Sequence, residues 1–394
     1  MRQRYGWMIG AAVGFVILIF MGWSDVKKVE ESSTGKATEL PSDIAWSHTF
    51  NAVSDLAATP SGLAASVVSE KMPTVVGLEA GGRLVWQKQI GDQATLVAGR
   101  QSLFAATERR ILSINATDGS TVATREVDPP VGGWAKATTL SSDDDLVILH
   151  AGGLARLDAR ELKTQWQVAL PLDDQNDAIQ QLVHEPPWIA AVSNRTVMLI
   201  SDRGDLAWKR PLPQDTRLAG SSALVLGEGR VWVGLARIST GARFLYELSI
   251  SEGMPVTETV IPDLAMFCNA YVSNGVLVLN TEGGLAGFVV RNALSRLWSI
   301  DVPVALGACV SSNGQLLVAS RSGTLLRVAI ADGSKEAMSE LPRKLAWVPP
   351  APDLEPGTST QSAGSIEHLA LLPHGVAFSV SWTNEQASIL FRPL

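Results

Sequence analysis

The sequence predicts an all-β fold: an eight-bladed β-propeller with four-stranded blades, whose N- and C-terminal strands share the last blade, preceded by one transmembrane helix. Three observations predict it. A strand-turn-strand unit recurs through residues 45–394, helical periodicity is nearly absent after residue 24, and residues 6–23 form one uncharged apolar run.

The recurring unit is an alternating strand, a turn of Gly, Asp, Asn or Arg, and a second strand opening at Trp. It is found at residues 74–87, 154–167, 197–209 and 285–299, and three further copies, at 111–124, 244–258 and 325–338, lack the Trp. The Trp slot falls at Trp46, Trp86, Ala123, Trp166, Trp208, Thr257, Trp298 and Ala337, between 37 and 49 residues apart, which is the length of a four-stranded blade. The five slot tryptophans are expected to pack between blades. Upstream of the slots lie hairpin signals. Asn274-Gly275 and Asn313-Gly314 are two-residue turns in which both positions accept φ > 0, and Ser142-Asp143-Asp144, Gly227-Glu228-Gly229 and Pro373-His374-Gly375 occupy matching places.

The two ends of the array predict how it closes. Trp46 arrives with no strands of its own before it, and the C-terminus supplies three strands, at 367–372, 376–380 and 387–391, with no Trp strand to follow. One orphan strand and three partnerless ones make a blade, so the ring has no open seam and no exposed sheet edge there.

This pattern resembles the PQQ-like repeat, the blade unit of quinoprotein propellers, and within that group it is similar to the BamB family of outer-membrane assembly scaffolds. The resemblance covers residues 45–394 and rests on eight degenerate matches in phase. It implies a non-catalytic scaffold that binds protein partners. WD40 repeats fit less well, because no Trp-Asp dipeptide ends the blades and no regular Gly-His opens them.

At the N-terminus, residues 1–5 are read as a cytoplasmic tip, 6–23 as a transmembrane signal anchor, 24–44 as a polar flexible linker and 45–394 as the propeller. Residues 6–23 carry no charge, and 18 residues of helix span about 27 Å, close to the hydrocarbon thickness of a bilayer. Trp7 and Trp23 sit where interfacial anchors belong, and Arg2 and Arg4 favour a cytosolic N-terminus, with the propeller on the extracytoplasmic side of the cytoplasmic membrane. A cleaved signal peptide is the competing reading, for which only Gly22-Trp23-Ser24 offers small residues at the required spacing. Gly6, Gly10 and Gly14 recur every four residues, a small-residue stripe that would let a second membrane helix approach.

The rest of the sequence argues against several kinds of chemistry. Hydrophobic residues make up 46% of the chain, enough for a large core, and the formal charge is −7 with no extended basic run, so nucleic acid is not an expected partner. Quinone-dependent dehydrogenases of this repeat class typically use adjacent cysteines, a calcium ion held by acid and amide side chains, and a catalytic Asp. Here Cys268 and Cys309 lie in successive blades and are expected to be two buried thiols, so no cofactor and no enzymatic activity are expected. The five histidines, His48, His150, His184, His368 and His374, have no metal-ligand spacing, and the acid clusters Asp143-Asp144-Asp145 and Asp173-Asp174…Asp177 read as solvated turns, so no metal is expected.

What remains is binding surface. Pro186-Pro187-Trp188 and Trp347 with Pro349-Pro350 each place an indole beside paired prolines, and the second opens a long insertion within the last blade. Trp is enriched at interface hot spots and proline lowers the ordering cost of binding, so both are candidate partner-binding segments. The expected function is a membrane-anchored extracytoplasmic scaffold in envelope or membrane-complex assembly. A ligand- or glycan-binding sensor propeller and a PQQ-dependent oxidoreductase are the alternatives.

Overall fold

The structure, a computed structural model, describes residues 44–393 apart from 128–137, 141–143, 151–152, 173–176, 220–223, 265–269, 282, 292–293, 303, 313, 321–323, 341–364, 373 and 383–385. Every sheet is antiparallel and each is one blade. The first strand, β1 (Trp46–Phe50), belongs to the last blade. Blade 1 is β2 (Ala52–Thr59), β3 (Gly62–Ser69), β4 (Met72–Glu79) and β5 (Leu84–Gln89), and blade 2 is β6 (Thr95–Ala98), β7 (Ser102–Ala106), β8 (Arg110–Asn115) and β9 (Thr121–Glu126). Blade 3 is β10 (Thr138–Leu140), β11 (Leu146–His150), β12 (Gly153–Leu157) and β13 (Thr164–Ala169). Blade 4 is β14 (Ile179–Glu185), β15 (Trp188–Ser193), β16 (Thr196–Ser201) and β17 (Leu206–Pro211). In blade 5 the innermost strand is split into β18 (Thr216–Leu218) and β19 (Leu224–Gly227), both paired with β20 (Arg230–Arg237), and β21 (Arg243–Ser249) and β22 (Pro255–Val260) follow. Blade 6 is β23 (Ala270–Ser273), β24 (Val276–Thr281), β25 (Gly284–Val289) and β26 (Ser295–Asp301), and blade 7 is β27 (Val304–Ser312), β28 (Gln315–Ser320), β29 (Thr324–Ala329) and β30 (Lys335–Glu340). Blade 8 is β31 (Ser365–Leu372), β32 (Gly375–Trp382), β33 (Gln386–Pro393) and, outermost, β1.

The eight blades and the shared last blade are as the sequence predicts. Trp46 pairs with Phe391 and Phe50 with Ala387, so the two ends of the chain are stitched by a full antiparallel ladder. The indole of Trp46 stacks on Phe391 with ring centroids 5.2 Å apart. Ile44 is buried with Leu325, Leu369 and Phe378.

The core sits in the seams between the blades. Among the described residues eight apolar clusters are present, each shared by two neighbouring sheets. The middle strands of each blade are buried on both faces and read as apolar runs, such as Val197-Met198-Leu199-Ile200, whereas outermost strands alternate, as in β9 and β22. This is the packing of twisted sheets face to face, repeated round a ring.

The slot residues share one place in every blade. Each lies in the outermost strand opposite the third strand, as Trp86 lies opposite Gly77 and Trp208 opposite Leu199. Seven of the slots sit at a register shift; in six of them the strand carries one extra residue before the slot, and in blade 7 the extra residue, Met338, follows Ala337. In β5, β13 and β17 the Trp does not open its strand, as the sequence reading had it; each strand begins two residues earlier, because the residue before the bulge is already paired with the third strand.

Each indole reaches across its seam and donates from Nε1 to a carbonyl in the turn before the outermost strand of the next blade. Trp46 donates to Ala80, Trp86 to Ala116, Trp166 to Asp202, Trp208 to Ile250 and Trp298 to Ile330, at 2.7–3.0 Å. Beneath each ring lies a glycine of that turn with positive φ: Gly82, Gly119, Gly204, Gly253 and Gly333. A Cβ at any of them would lie within 3 Å of the indole, so the five tryptophans and five glycines are sterically matched pairs.

The seam between blades 2 and 3 inverts this match. The slot residue is Ala123, and the glycine place is taken by Leu162, held at φ 54° and 2% exposed. Leu162 packs with Ala123 nearby and fills the volume that an indole fills elsewhere. At the closure seam Ala337 faces no such turn, because β33 and β1 are not joined by one, and Ile44 packs in that seam.

Candidate functional site

The sequence-predicted segment at 184–188 forms the turn between the two innermost strands of blade 4. Glu185 pairs with Trp188, leaving Pro186-Pro187 as a two-residue turn with a cis peptide between the prolines. Two adjacent proline rings fix φ at both positions and leave no backbone N–H to satisfy. Glu185, Pro186 and Pro187 are exposed. Trp188 is not in an irregular loop: it is the first residue of β15, half-buried against the cluster shared by blades 4 and 5. The segment that projects to solvent is therefore Glu185 to Pro187, with one part of the Trp188 ring beside it.

This turn is anchored to a buried polar network. The amide of Asp202 donates to the Pro187 carbonyl at 2.9 Å, and the Asp202 carboxylate lies 2.8 Å from Nε2 of His184, a side chain only 6% exposed. The Asp202 carbonyl accepts both the Trp166 indole, at 3.0 Å, and Nη1 of Arg156, at 3.3 Å. Arg156 pairs with Asp145 at 2.8 Å, and Asp145 also accepts from Gln165 at 2.7 Å and from the Ala159 amide at 3.0 Å. A proline turn on the surface of blade 4 is thus tied through Asp202 to charged side chains buried in blade 3. That rigidity suits recognition, since a preordered loop loses little freedom when a partner binds.

Two acidic side chains correct the sequence reading of solvated turns. Asp145 is 7% exposed and its charge is matched by Arg156; Asp177 is 6% exposed and accepts from Ser193 Oγ at 2.6 Å and from the Asn194 amide at 3.2 Å. Burial of a charge is tolerated where it is paired and hydrogen-bonded. Arg156 could have signalled this from sequence: it interrupts the buried run Gly153-Leu154-Ala155-Arg156-Leu157, where a cation needs a partner.

A second polar set lies on the innermost strands and was missed from sequence. Asp55, Gln181 and His368 occupy the same place, each just past a register shift in the first strand of its blade. Asp55 accepts the Leu96 amide of blade 2 at 2.7 Å, and Gln181 accepts the Leu224 amide of blade 5 at 3.1 Å, so each ties its inner strand to that of the next blade. His368 Nδ1 stands 3.8 Å from Asp55 across the closure. Burial pushes the Asp55 carboxyl above its ordinary 3.8, against the opposing pull of the Leu96 amide, the His368 charge and the Leu56 amide.

Trp347, Pro349 and Pro350 fall outside the described residues, as do Gly6, Gly10 and Gly14, the whole of 6–23, and Cys268. Among the described residues no helix is long and apolar enough to cross a membrane, and no three His, Cys, Asp or Glu side chains converge as metal ligands. Cys309 lies in β27.

Comparison with known proteins agrees with this architecture. The family described as outer membrane protein assembly factor BamB matches residues 42–233, a little under half of the chain. The crystal structure of BamB from Moraxella catarrhalis is similar over 86% of this chain and 96% of its own, with a TM-score of 0.56 at 12% identity. The computationally designed Ika8 protein is similar over the same shares, with a TM-score of 0.57 at 11% identity. The dihydro-heme d1 dehydrogenase NirN is similar over 73% of this chain and 67% of its own, with a TM-score of 0.50 at 15% identity. At these identities the likeness to solved structures is one of fold. No curated protein matches the sequence.

Proposed function

Starting from a PQQ-like repeat propeller that resembles BamB, we propose that this chain is a membrane-anchored extracytoplasmic scaffold that binds protein partners and carries out no reaction of its own. The observation that carries the reading is the match of residues 42–233 to an assembly-factor family, joined to a surface turn whose geometry is fixed from inside the fold. The Glu185-Pro186-Pro187 turn offers a rigid, uncluttered contact, and the half-buried Trp188 supplies an aromatic anchor at its base. The uncharged run 6–23 would hold the propeller at the cytoplasmic membrane, where its partners are other membrane or envelope proteins.

A photo-crosslinking residue at Glu185 in intact cells tests this. The scaffold reading expects one or a few enriched protein neighbours that are lost in Trp188→Ala and not captured from Asp118, an exposed turn residue of blade 2. Equal, diffuse capture from both positions would remove the turn as the contact. Dye reduction by the purified protein after addition of PQQ and calcium would contradict the non-catalytic part of the proposal.

A further inference from the structure

The inner strands of neighbouring blades are fastened by two kinds of acceptor. Between blades 4 and 5 it is Gln181, a neutral carboxamide that takes the Leu224 amide. Between blades 1 and 2 the same place holds Asp55, whose Oδ2 accepts the Leu96 amide at 2.7 Å while Oδ1 accepts the Leu56 amide at 2.8 Å. The carboxylate is thus fixed by blades 1 and 2, with no help from blade 8.

Blade 8 brings His368 to this carboxylate. The His368 amide donates to Ser379 Oγ at 3.1 Å within its own blade, and Nδ1 stands 3.8 Å from Asp55 Oδ1 across the seam where the last blade meets the first. The side chains of His368 and Asp55 are 30% and 23% exposed, so the pair is largely withdrawn from water yet open to protons. Few other ionisable groups lie near. Of the strands packed around the pair, β3, β6 and β32 carry none and β27 carries only Cys309. Arg392 of β33 is on the face it shares with Leu390, which packs toward blade 7. Glu367 precedes His368 in β31, and Asp92 is exposed in the loop before β6. His48, in the same row of blade 8, belongs to the outermost strand and is engaged with the Gly82 carbonyl.

We infer that His368 and Asp55 form a pH-sensitive fastening between the last and first blades, closed while the imidazole is protonated and loosened when it becomes neutral. A carboxylate drawn out of water is costly unless a cation stands beside it, and imidazole is the side chain whose charge changes between about pH 5 and 8. Below that range His368 supplies the cation; above it Asp55 keeps its charge and loses its counter-charge. An imidazole that gains a carboxylate on folding stabilises the fold fully while protonated, and that contribution is lost as pH rises through its titration. Burial, which raises the Asp55 carboxyl, acts in the same direction over a lower range, beginning at about pH 4. The location gives the pair its reach. Three strands of blade 8 come from the C-terminal end of the chain, and they join blade 1 only through β1 and this seam. Gln181, at the same place in blade 4, has no charge to lose, so its seam is insensitive to pH by this route. The inference is independent of the scaffold reading and of the Pro186-Pro187 turn.

Hydrogen–deuterium exchange of the full chain at about pH 5.5 and about pH 8, corrected for the intrinsic pH dependence of exchange, tests this. The parent is compared with His368→Gln and with Asp55→Gln, which installs the neutral acceptor of blade 4. Protection of β2 and β31 in the parent is expected to fall about two- to fivefold at the higher pH, the size of a partly exposed ion pair. Both variants are expected to lack that fall, and β19, held by Gln181, to keep its protection in all three chains. If Asp55→Gln does not fold, His368→Gln carries the test, because it leaves the Leu96 and Leu56 bonds of Asp55 in place. No fall in the parent, or a fall that survives in a folded variant, would overturn the inference. So would an equal fall in β19, which would report a change of the whole ring with pH.

Discussion

If the tryptophans and glycines of the seams are matched pairs, the match can be moved. Blade 3 provides the place, because its turn closes through the same bond as the glycine turns: the Leu162 amide donates to Asp158 as the Gly119 amide does to Asn115 and the Gly253 amide to Ser249. Ala123→Trp alone drives an indole into the Leu162 side chain, an overpacking that costs about 1–3 kcal/mol. Leu162→Gly alone removes a side chain that is 2% exposed, a loss of about 2–5 kcal/mol, offset by about 1 kcal/mol because the residue sits at positive φ. Together the two changes rebuild the pair found in five seams, with the Ala159 carbonyl in the place of the acceptor. The double variant A123W/L162G should then stand above the sum of the single effects by about 2–3 kcal/mol, the upper range for residues in contact. Urea unfolding of the four proteins measures this coupling. Additivity within about 0.5 kcal/mol would show that the pairing is incidental and refute the reasoning.

Further expectations follow from single contacts. Trp208→Ala empties a seam in which the indole is 8% exposed and donates to Ile250 at 2.7 Å, and should cost about 3–5 kcal/mol in urea unfolding, whereas Leu297→Ala on the exposed edge of blade 6 should cost under about 0.5 kcal/mol. Asp145→Asn removes the carboxylate that pairs with buried Arg156 at 2.8 Å and should cost about 3–5 kcal/mol, while also loosening the Pro186-Pro187 turn as read by faster amide exchange at Asp202. Asp55 gives a pH test. Its carboxyl is raised in the folded chain, so the folded state holds this proton more tightly than the unfolded state, and the stability it contributes falls as pH rises from about 4 through the folded value. Asp55→Asn should therefore gain stability relative to the parent across that rise; a relative loss would mean that the Leu96, Leu56 and His368 contacts outweigh burial.

The repeats made the ring legible before any coordinates, because a slot recurring every 37 to 49 residues dictates a blade and a lone first strand dictates the closure. What stayed hidden was pairwise. The glycines beneath the indoles are conspicuous as turn residues, yet their partners lie one blade away in sequence, and only the seam shows why Gly204 belongs to Trp166. Asp145 and Asp177 looked like solvated acids, since a run of acidic residues gives no sign of which member turns inward. Asp55, Gln181 and His368 share no residue type, so their common place on the inner strands appears only once register is known. In the candidate site, the double proline at 186–187 was readable as a turn, but its tie to Asp202 and His184 was not, because it joins residues that pack only after blades 3 and 4 meet.

The account depends most on the chain closing upon itself through β1 and β33. Thr49 and Ser388 face each other there, with their hydroxyls 3.2 Å apart. The decisive measurement is oxidation of a T49C/S388C chain in which Cys268 and Cys309 are serine. A closed ring predicts a rapid intramolecular disulfide in the monomer, with a higher urea midpoint than the reduced form. Free thiols after oxidation, or disulfides formed only between chains, would contradict it.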